Sequence, residues 1–381
     1  MHRLVSVCLA LFLLLIAANA AEAGRWRYAD PGELGLYPVG HSVFEAVDPA
    51  RNDRTLRVEM WYPADENRLD GPGTFYDFQF LGLGLASPVA YEDTAAAFEI
   101  GFPLVIFSHG SCGVSFQSTP LMETLASHGM IVVAPNHRGN SVNECIGTGG
   151  PDPFLTVARN RPLDVSFLID LMLARSNDPN DEFYLKINRN AIAVAGHSFG
   201  GFTALAAASG FHRPADGIDV PPDPRVKAIV PIAPASGILS DAELESIAIP
   251  VLLVSGTLDT TTPIDDQTTR PWALIPSRPF YRTDIVGATH LQFANACDIG
   301  QALIDFGVSL ADITRLGVDF AESCLPPALD IAVVRETSNL YITAFLKKYL
   351  LHDSRYDEFL TPAYAETNEP GVLFQRKDEA E

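Results

Sequence analysis

Short apolar runs rich in β-branched residues recur along the chain. Between them lie longer stretches whose apolar residues return every three or four positions. Residues 55–62 (TLRVEMWY) alternate polar and apolar, which predicts a strand with one covered face. Residues 103–107 (PLVIF), 130–134 (MIVVA), 191–195 (AIAVA), 226–232 (VKAIVPI), 251–254 (VLLV) and 280–286 complete a set of short strands. Most are apolar almost throughout, as in a parallel sheet covered on both faces. Helices are predicted over 118–127, over 162–174 with Pro162 as the first helical residue, and over 199–209 and 332–350. This alternation predicts an α/β fold with one mostly parallel sheet of about eight strands and helices on both faces. Residues 65–101, rich in Gly, Pro and aromatics, read as a surface excursion between strands, and the polar tail after Asp353 as loosely ordered. No long period repeats, which excludes solenoids and propellers.

Composition narrows the partners. Of 381 residues, 47% are hydrophobic, too many for a disordered chain. Forty-seven Asp and Glu against 26 Lys and Arg leave a net charge of −21, which argues against a phosphate-binding surface, so nucleic acid and anionic membrane surfaces are not expected as partners. The N-terminus is different in kind. Arg3 precedes an apolar run over 4–18, followed by the small-residue patterns Ala18-Asn19-Ala20 and Ala21-Glu22-Ala23. The run is about fifteen residues long, short of the roughly twenty that cross a bilayer. It reads as a signal peptide cleaved near Ala20 or Ala23, with an uncleaved anchor as the alternative. Residues 24–381 are then a single domain, secreted or periplasmic, with no stable membrane insertion.

The candidate chemistry begins at Gly196-His197-Ser198-Phe199-Gly200, a G-x-S-x-G sequence between a predicted strand and an Ala-rich helix. A very tight strand-to-helix turn would lift the Ser198 hydroxyl out of the sheet, and glycines on either side leave room for the neighbouring backbone. A serine needs a base, and the base an orienting acid, here in the chain order Ser, acid, His. Asp259 follows the strand at 251–254 and His290 the strand at 280–286, so both belong on the rim that carries Ser198. Asp265 and Asp266 are the rival acids, further from the strand end. His197 adjoins the serine, but the turn should direct its side chain away. His109, His137 and His212 lack a strand-end place after the acid.

An oxyanion needs two backbone N–H donors. One is that of Phe199, after the nucleophile. The other is expected at Ser111, in the loop Ser108-His109-Gly110-Ser111 after the strand at 103–107, with His109 as a loop organiser. Of five cysteines, Cys8 lies in the N-terminal run, leaving Cys112, Cys145, Cys297 and Cys324. An even number in an exported chain points to two disulfides, with three connectivities possible and four free thiols as the alternative. Cys112 follows Ser111 and Cys145 lies in the loop after the next strand, so a Cys112–Cys145 bond would brace the oxyanion loop. That leaves Cys297 with Cys324.

These segments resemble the dienelactone-hydrolase-like and platelet-activating-factor-acetylhydrolase-like serine esterases of the α/β-hydrolase superfamily. The resemblance is carried by 102–110 (FPLVIFSHG), 125–138 (LASHGMIVVAPNHR), 161–164 (RPLD), 195–201 (AGHSFGG), 255–259 and 287–290. It spans roughly Arg54 to Leu350 and extends to secreted polyester hydrolases and cutinases, whose acid also follows the seventh strand. The acetylhydrolases carry theirs after the sixth, where this chain reads Pro231-Ile232-Ala233-Pro234-Ala235 with no acid. Dienelactone hydrolases use a cysteine nucleophile where this chain has Ser198. Both departures move the expectation toward ordinary carboxylic esters, with small-molecule, lipid or polymer ester substrates.

Residues 291–327 have no counterpart in the minimal fold. Bracketed by Cys297 and Cys324, with helical patterns over 299–308 and 310–320, they are expected to form a tethered cap or a decorative insertion. The sequence holds no H-E-x-x-H, zinc cluster, P-loop or dinucleotide turn, so no metal or cofactor is expected. The expectation is an exported serine esterase. The alternatives are a lipase, a cutinase-like polyester hydrolase, a phospholipid acetylhydrolase, an amidase or thioesterase, and a catalytically silent binding protein on the same scaffold.

Overall fold

Strand β1 (Val39–Asp48) runs to a tight turn in which Asn52 and Asp53 both take positive φ (57° and 51°), and returns antiparallel as β2 (Arg54–Pro63). This start belongs to a computed structural model that describes residues 29–78, 84–146, 149–315, 320–326 and 328–378. The expected signal peptide lies outside the described residues. An edge hairpin follows, β3 (Gly73–Asp77) with β4 (Gly84–Glu92). The central strands are β5 (Phe102–Ser108), β6 (Ile131–Pro135) and β7 (Ile187–His197). Strands β8 (Phe211–Arg213) and β9 (Ile218–Val220) pair separately, and β10 (Ala228–Ile232), β11 (Val251–Gly256), β12 (Phe280–Ile285) and β13 (Val372–Lys377) complete the main sheet.

Its spatial order is β13-β12-β11-β10-β7-β5-β6-β2-β1-β4-β3. Neighbours from β6 through β12 are all parallel. Period-two alternation on the buried strands divides the core into two layers. Val105, Phe107, Val132 and Ala193 face helices α1 (Thr119–Ser127) and α7 (Ile331–Leu351). Leu104, Ile106, Val133 and Val194 face α2 (Phe154–Asn177) and α3 (Phe199–Ser209). Between β12 and α7 lie α4 (Ala296–Asp305), α5 (Leu310–Arg315) and α6 (Phe320–Cys324), which enclose a small core of Leu303, Ile313 and Phe320.

The α/β-hydrolase architecture matches expectation, with eleven strands in place of about eight. Three of the additions are at the edges. The expected surface excursion at 65–101 contains β3 and β4, and β4 pairs parallel with β1. The tail is ordered, because β13 adds antiparallel to β12 and its Phe374 ring stacks on Tyr341 at 5.3 Å. Helix α2 begins eight residues before Pro162, which sits in its interior. Proline there forfeits a helix hydrogen bond at a cost of about 3 kcal/mol. Buried Val157 and Ala158 extend the apolar face N-terminally, and with Val165, Leu168 and Ile169 they offset that cost at about 1.5–3 kcal/mol for each larger side chain.

Candidate active site

Strand β7 ends at His197 and α3 begins at Phe199, leaving Ser198 alone in the turn with φ 59° and ψ −117°. A non-glycine residue there costs on the order of 1–3 kcal/mol, which the surrounding bonds must hold. Ser198 N–H donates to the Ile232 carbonyl at 2.9 Å, and the Ser198 carbonyl accepts from Gly201 at 2.9 Å and Ala235 at 3.0 Å. Glycine is required on both sides. A Cβ on Gly196 would stand 2.7 Å from the Ser108 carbonyl oxygen, and one on Gly200 would overlap it.

Asp259 and His290 arrive on the same rim. His290 Nε2 lies 2.9 Å from Ser198 Oγ, and His290 Nδ1 lies 2.7 Å from Asp259 Oδ2. Asp259 is buried, and burial alone would raise its pKa. The hydrogen bond and charge of His290 and the donors of Thr262 hold it below the ordinary carboxylate range. An ionised carboxylate only accepts, so Nδ1 carries the ring proton and Nε2 turns its lone pair to the Ser198 hydroxyl. Asp259 is itself clamped: Oδ1 accepts the N–H groups of Thr261 (2.9 Å) and Thr262 (2.7 Å), and Oδ2 accepts the Thr262 hydroxyl (2.8 Å). The rival acids Asp265 and Asp266 are exposed in the short helix Ile264–Gln267.

The loop after β5 packs against Ser198, since a Cβ on Gly110 would stand 3.5 Å from Ser198 Cβ. Ser111 is exposed at its tip, and Phe199 opens α3, where an N–H has no intrahelical acceptor. Disulfides join Cys112 to Cys145 and Cys297 to Cys324, with Cα atoms 5.7 and 5.4 Å apart, the two pairs expected. The first ties the residue after Ser111 to the loop beyond β6. The second closes α4 to α6. Of the expected cap, residues 316–319 and 327 lie outside the described residues. Its root is fastened to the segment after the oxyanion loop: Asn295 Nδ2 donates to the Phe116 carbonyl (3.1 Å) and Thr119 Oγ1 (2.6 Å), and Ser118 Oγ to the Phe293 carbonyl (3.0 Å).

His197 is not the idle neighbour expected. Its ring lies 4.6 Å from that of His290, and its Nε2 donates to the His290 carbonyl at 2.9 Å. Burial, and then the His290 charge, push its pKa down to about 3, so it stays neutral and accepts at Nδ1 from Gln117 Nε2 (3.1 Å). Gln117 Oε1 accepts from Gly110 N–H at 3.0 Å, which completes a polar link from the loop after β5 to the loop that carries His290. The sequence reading missed Gln117 and Thr262. The available signal was Asp259 itself, because a short carboxylate side chain favours a turn that accepts the N–H groups two and three residues on, to which Thr262 adds its hydroxyl. His109 and His137 are buried behind the loop, while His212 pairs with Asp219 at 2.6 Å on β8 and β9. An exposed ring, Phe154, lies parallel to Phe199 at 5.7 Å and 8°, and Leu258 is exposed beside Asp259.

A strained serine between a strand and a helix, on the carboxyl rim of a parallel sheet with a histidine and an acid from later strand ends, defines the class of α/β hydrolases. The chain belongs to the alpha/beta hydrolase family, whose model matches residues 105–371. Among curated proteins it is similar to Cutinase est1 of Thermobifida alba, 24% identical over 260 residues, or 68% of this chain and 64% of that protein. It is similar to Cutinase 2 of Thermobifida cellulosilytica, 24% identical over 258 residues, or 68% of this chain and 72% of that protein. The match thus spans somewhat under two thirds of the first relative. Among solved structures, the ferulic acid esterase of Streptomyces cinnamoneus superposes with a TM-score of 0.64 at 22% identity, covering 89% of this chain and 96% of that one, a likeness of fold. No helix among the described residues is long and apolar enough to cross a membrane, and no group of three or more His, Cys, Asp or Glu among them is placed to hold a metal ion.

Proposed function

We propose that this chain is an exported serine esterase that cleaves carboxylic esters through an acyl-enzyme. The observation that carries this reading is the continuous path from Ser198 Oγ through His290 to Asp259, at 2.9 and 2.7 Å. Ser198 attacks the ester carbonyl as His290 Nε2 takes its proton. Asp259 holds the imidazole tautomer and stabilises the imidazolium. The N–H groups of Ser111 and Phe199 receive the oxyanion. Collapse of the intermediate breaks the ester C–O bond, and His290 returns the proton to the leaving alcohol. Water, deprotonated by the same ring, then releases the acid.

Exposed Phe154 and Leu258 near the mouth favour an apolar or aryl group on the substrate. Cutinase is the activity named for the relatives, which favours a polyester hydrolase as the second reading. We assign 291–327 the role of a cap over the mouth, on the strength of its bonds to 116–119. The two disulfides support export. The test is a chain-length series of p-nitrophenyl esters with a polyester film alongside. Ester turnover that disappears in a folded Ser198→Ala variant is expected, and turnover that persists would place the nucleophile elsewhere.

A further inference from the structure

Arg161, in α2, is fully buried directly behind the oxyanion loop. Its Nη1 donates to the His109 carbonyl at 2.5 Å and to Ser108 Oγ at 3.2 Å. Its Nη2 donates to the Gly110 carbonyl at 2.9 Å and to Asn140 Oδ1 at 2.7 Å. The guanidinium carbon also lies 4.7 Å from the centre of the Phe199 ring. One cation therefore touches both residues that would supply oxyanion donors, Phe199 directly and Ser111 through the preceding carbonyl. In a trans peptide the C=O and N–H point in opposite directions. The Gly110 oxygen accepts from Arg161 Nη2 together with His109 Nδ1 at 2.6 Å and Gly113 N–H at 3.2 Å, and holding it on that side turns the Ser111 N–H the other way.

The charge on Arg161 has no carboxylate in contact among the described residues. The nearby Asp164 is taken by Arg54 at 2.7 and 2.9 Å, by Arg51 at 2.7 Å and by His137 at 2.9 Å. Arg161 Nε is buried with no hydrogen-bond partner among those residues. A buried cation that faces two carbonyls, a hydroxyl and an amide, with no carboxylate in contact, is costly to fold. It becomes useful when negative charge develops on the far side of those same peptides, because a donor that polarises a C=O strengthens the N–H of that peptide unit.

We propose that Arg161 is a positioning residue of the oxyanion hole: it helps to fix the Gly110–Ser111 peptide so that its N–H is presented to the oxyanion, and its charge, with no carboxylate in contact, reaches the tetrahedral intermediate through that peptide. The inference rests on the esterase reading. It extends that reading to the Arg-Pro-Leu-Asp segment at 161–164, which in the sequence carried only the family resemblance and no assigned role.

The test uses the full chain. Wild type that turns over p-nitrophenyl butyrate, and loses that turnover with Ser198→Ala, establishes the reaction independently of Arg161. Two variants are then compared with it, both checked for native near-UV circular dichroism. Arg161→Lys keeps a charge but loses the fork across two carbonyls. Asn140→Asp keeps every Arg161 contact while setting a carboxylate on Nη2, which neutralises the charge and leaves the protein at least as heat-stable; the Ser111 hydroxyl, which accepts from Asn140 Nδ2 at 3.2 Å, can donate to the new carboxylate oxygen instead, so that contact is retained. The expected result is a kcat lowered roughly 10- to 100-fold in each. KM should stay within about twofold. Affinity for phenylboronic acid, which forms a tetrahedral anion on serine, should fall in parallel with kcat. A structural role alone would move the melting temperature and spare the boronate affinity. Wild-type kcat and boronate affinity in folded Asn140→Asp, or in folded Arg161→Lys, would overturn the proposal.

Discussion

Replacing Asp259 by Asn changes one atom and no volume, and the surrounding bonds dictate which way the amide turns. Oδ1 accepts two backbone N–H groups, from Thr261 at 2.9 Å and Thr262 at 2.7 Å. An NH2 group there would face two donors, so the amide oxygen takes that place and the NH2 is turned to His290. A donor opposite Nδ1 forces the imidazole into its other tautomer, with Nε2–H facing Ser198 and no lone pair left to take the serine proton. Loss of the base function through the wrong tautomer lowers kcat by about 10⁴. That corresponds to about 5.4 kcal/mol of transition-state stabilisation. The fold should survive, with one charge-assisted bond weakened at a cost of about 1–3 kcal/mol. Steady-state hydrolysis of p-nitrophenyl butyrate at pH 7.5 or so, together with thermal melting, reads both numbers. A folded Asp259→Asn enzyme that keeps a tenth or more of wild-type kcat would refute the reasoning and move the acid role to Asp265 or Asp266.

Exchanging Cys112 and Cys145 together for Ser should cost about 3–4 kcal/mol of stability, from a closed separation of 33 residues. It should also lower kcat, because Ser111 precedes the bond; an unchanged kcat in the folded variant would detach the disulfide from the oxyanion loop. His137 and His197 are held neutral by burial, then by the charges of Arg161 and His290 respectively, with pKa values pushed down to about 4 and about 3 from an ordinary 6.5. Only the unfolded chain takes up these protons as pH falls from 6.5 toward those values, so the stability they contribute is complete above 6.5 and lost below it. The loss is on the order of 3 kcal/mol per histidine. A melting temperature that stays flat between pH 6.5 and 4 would contradict it. Phe154→Ala removes the exposed ring stacked on Phe199 and should raise KM for aryl and long-chain esters more than for acetate; an equal change for all would exclude a substrate contact.

The parts of the site legible in the sequence are those tied to strand ends. Ser198 and Asp259 each follow an apolar run that can be little other than a buried strand, His290 follows the more polar strand Phe280–Ile285, and the tight turn needs glycines at set positions. Cys112 and Cys145 were legible for the same reason, since each follows a strand end, and Cys297 and Cys324, in α4 and α6, were the pair that remained. What could not be read depends on packing across the fold. Gln117, His197 and Arg161 act through contacts with residues 7 to 93 positions away, and their own neighbours in sequence give no hint of it. Strands β3 and β13 are the two edges of the sheet and β4 lies next to one of them, where half-exposed residues dilute the apolar pattern. Pro162 read as a helix start because the local rule is sound; the buried face of Val157 and Ala158 against the sheet outweighed it.

The central claim is that Ser198 is the activated nucleophile of this site. Incubation of the full chain with a fluorophosphonate, followed by intact mass and peptide mapping, tests it most directly. One adduct per chain on the peptide carrying Ser198, formed far more slowly when His290 is replaced by Ala, is the predicted result. A chain that stays unlabelled, or carries its label on another residue, contradicts it.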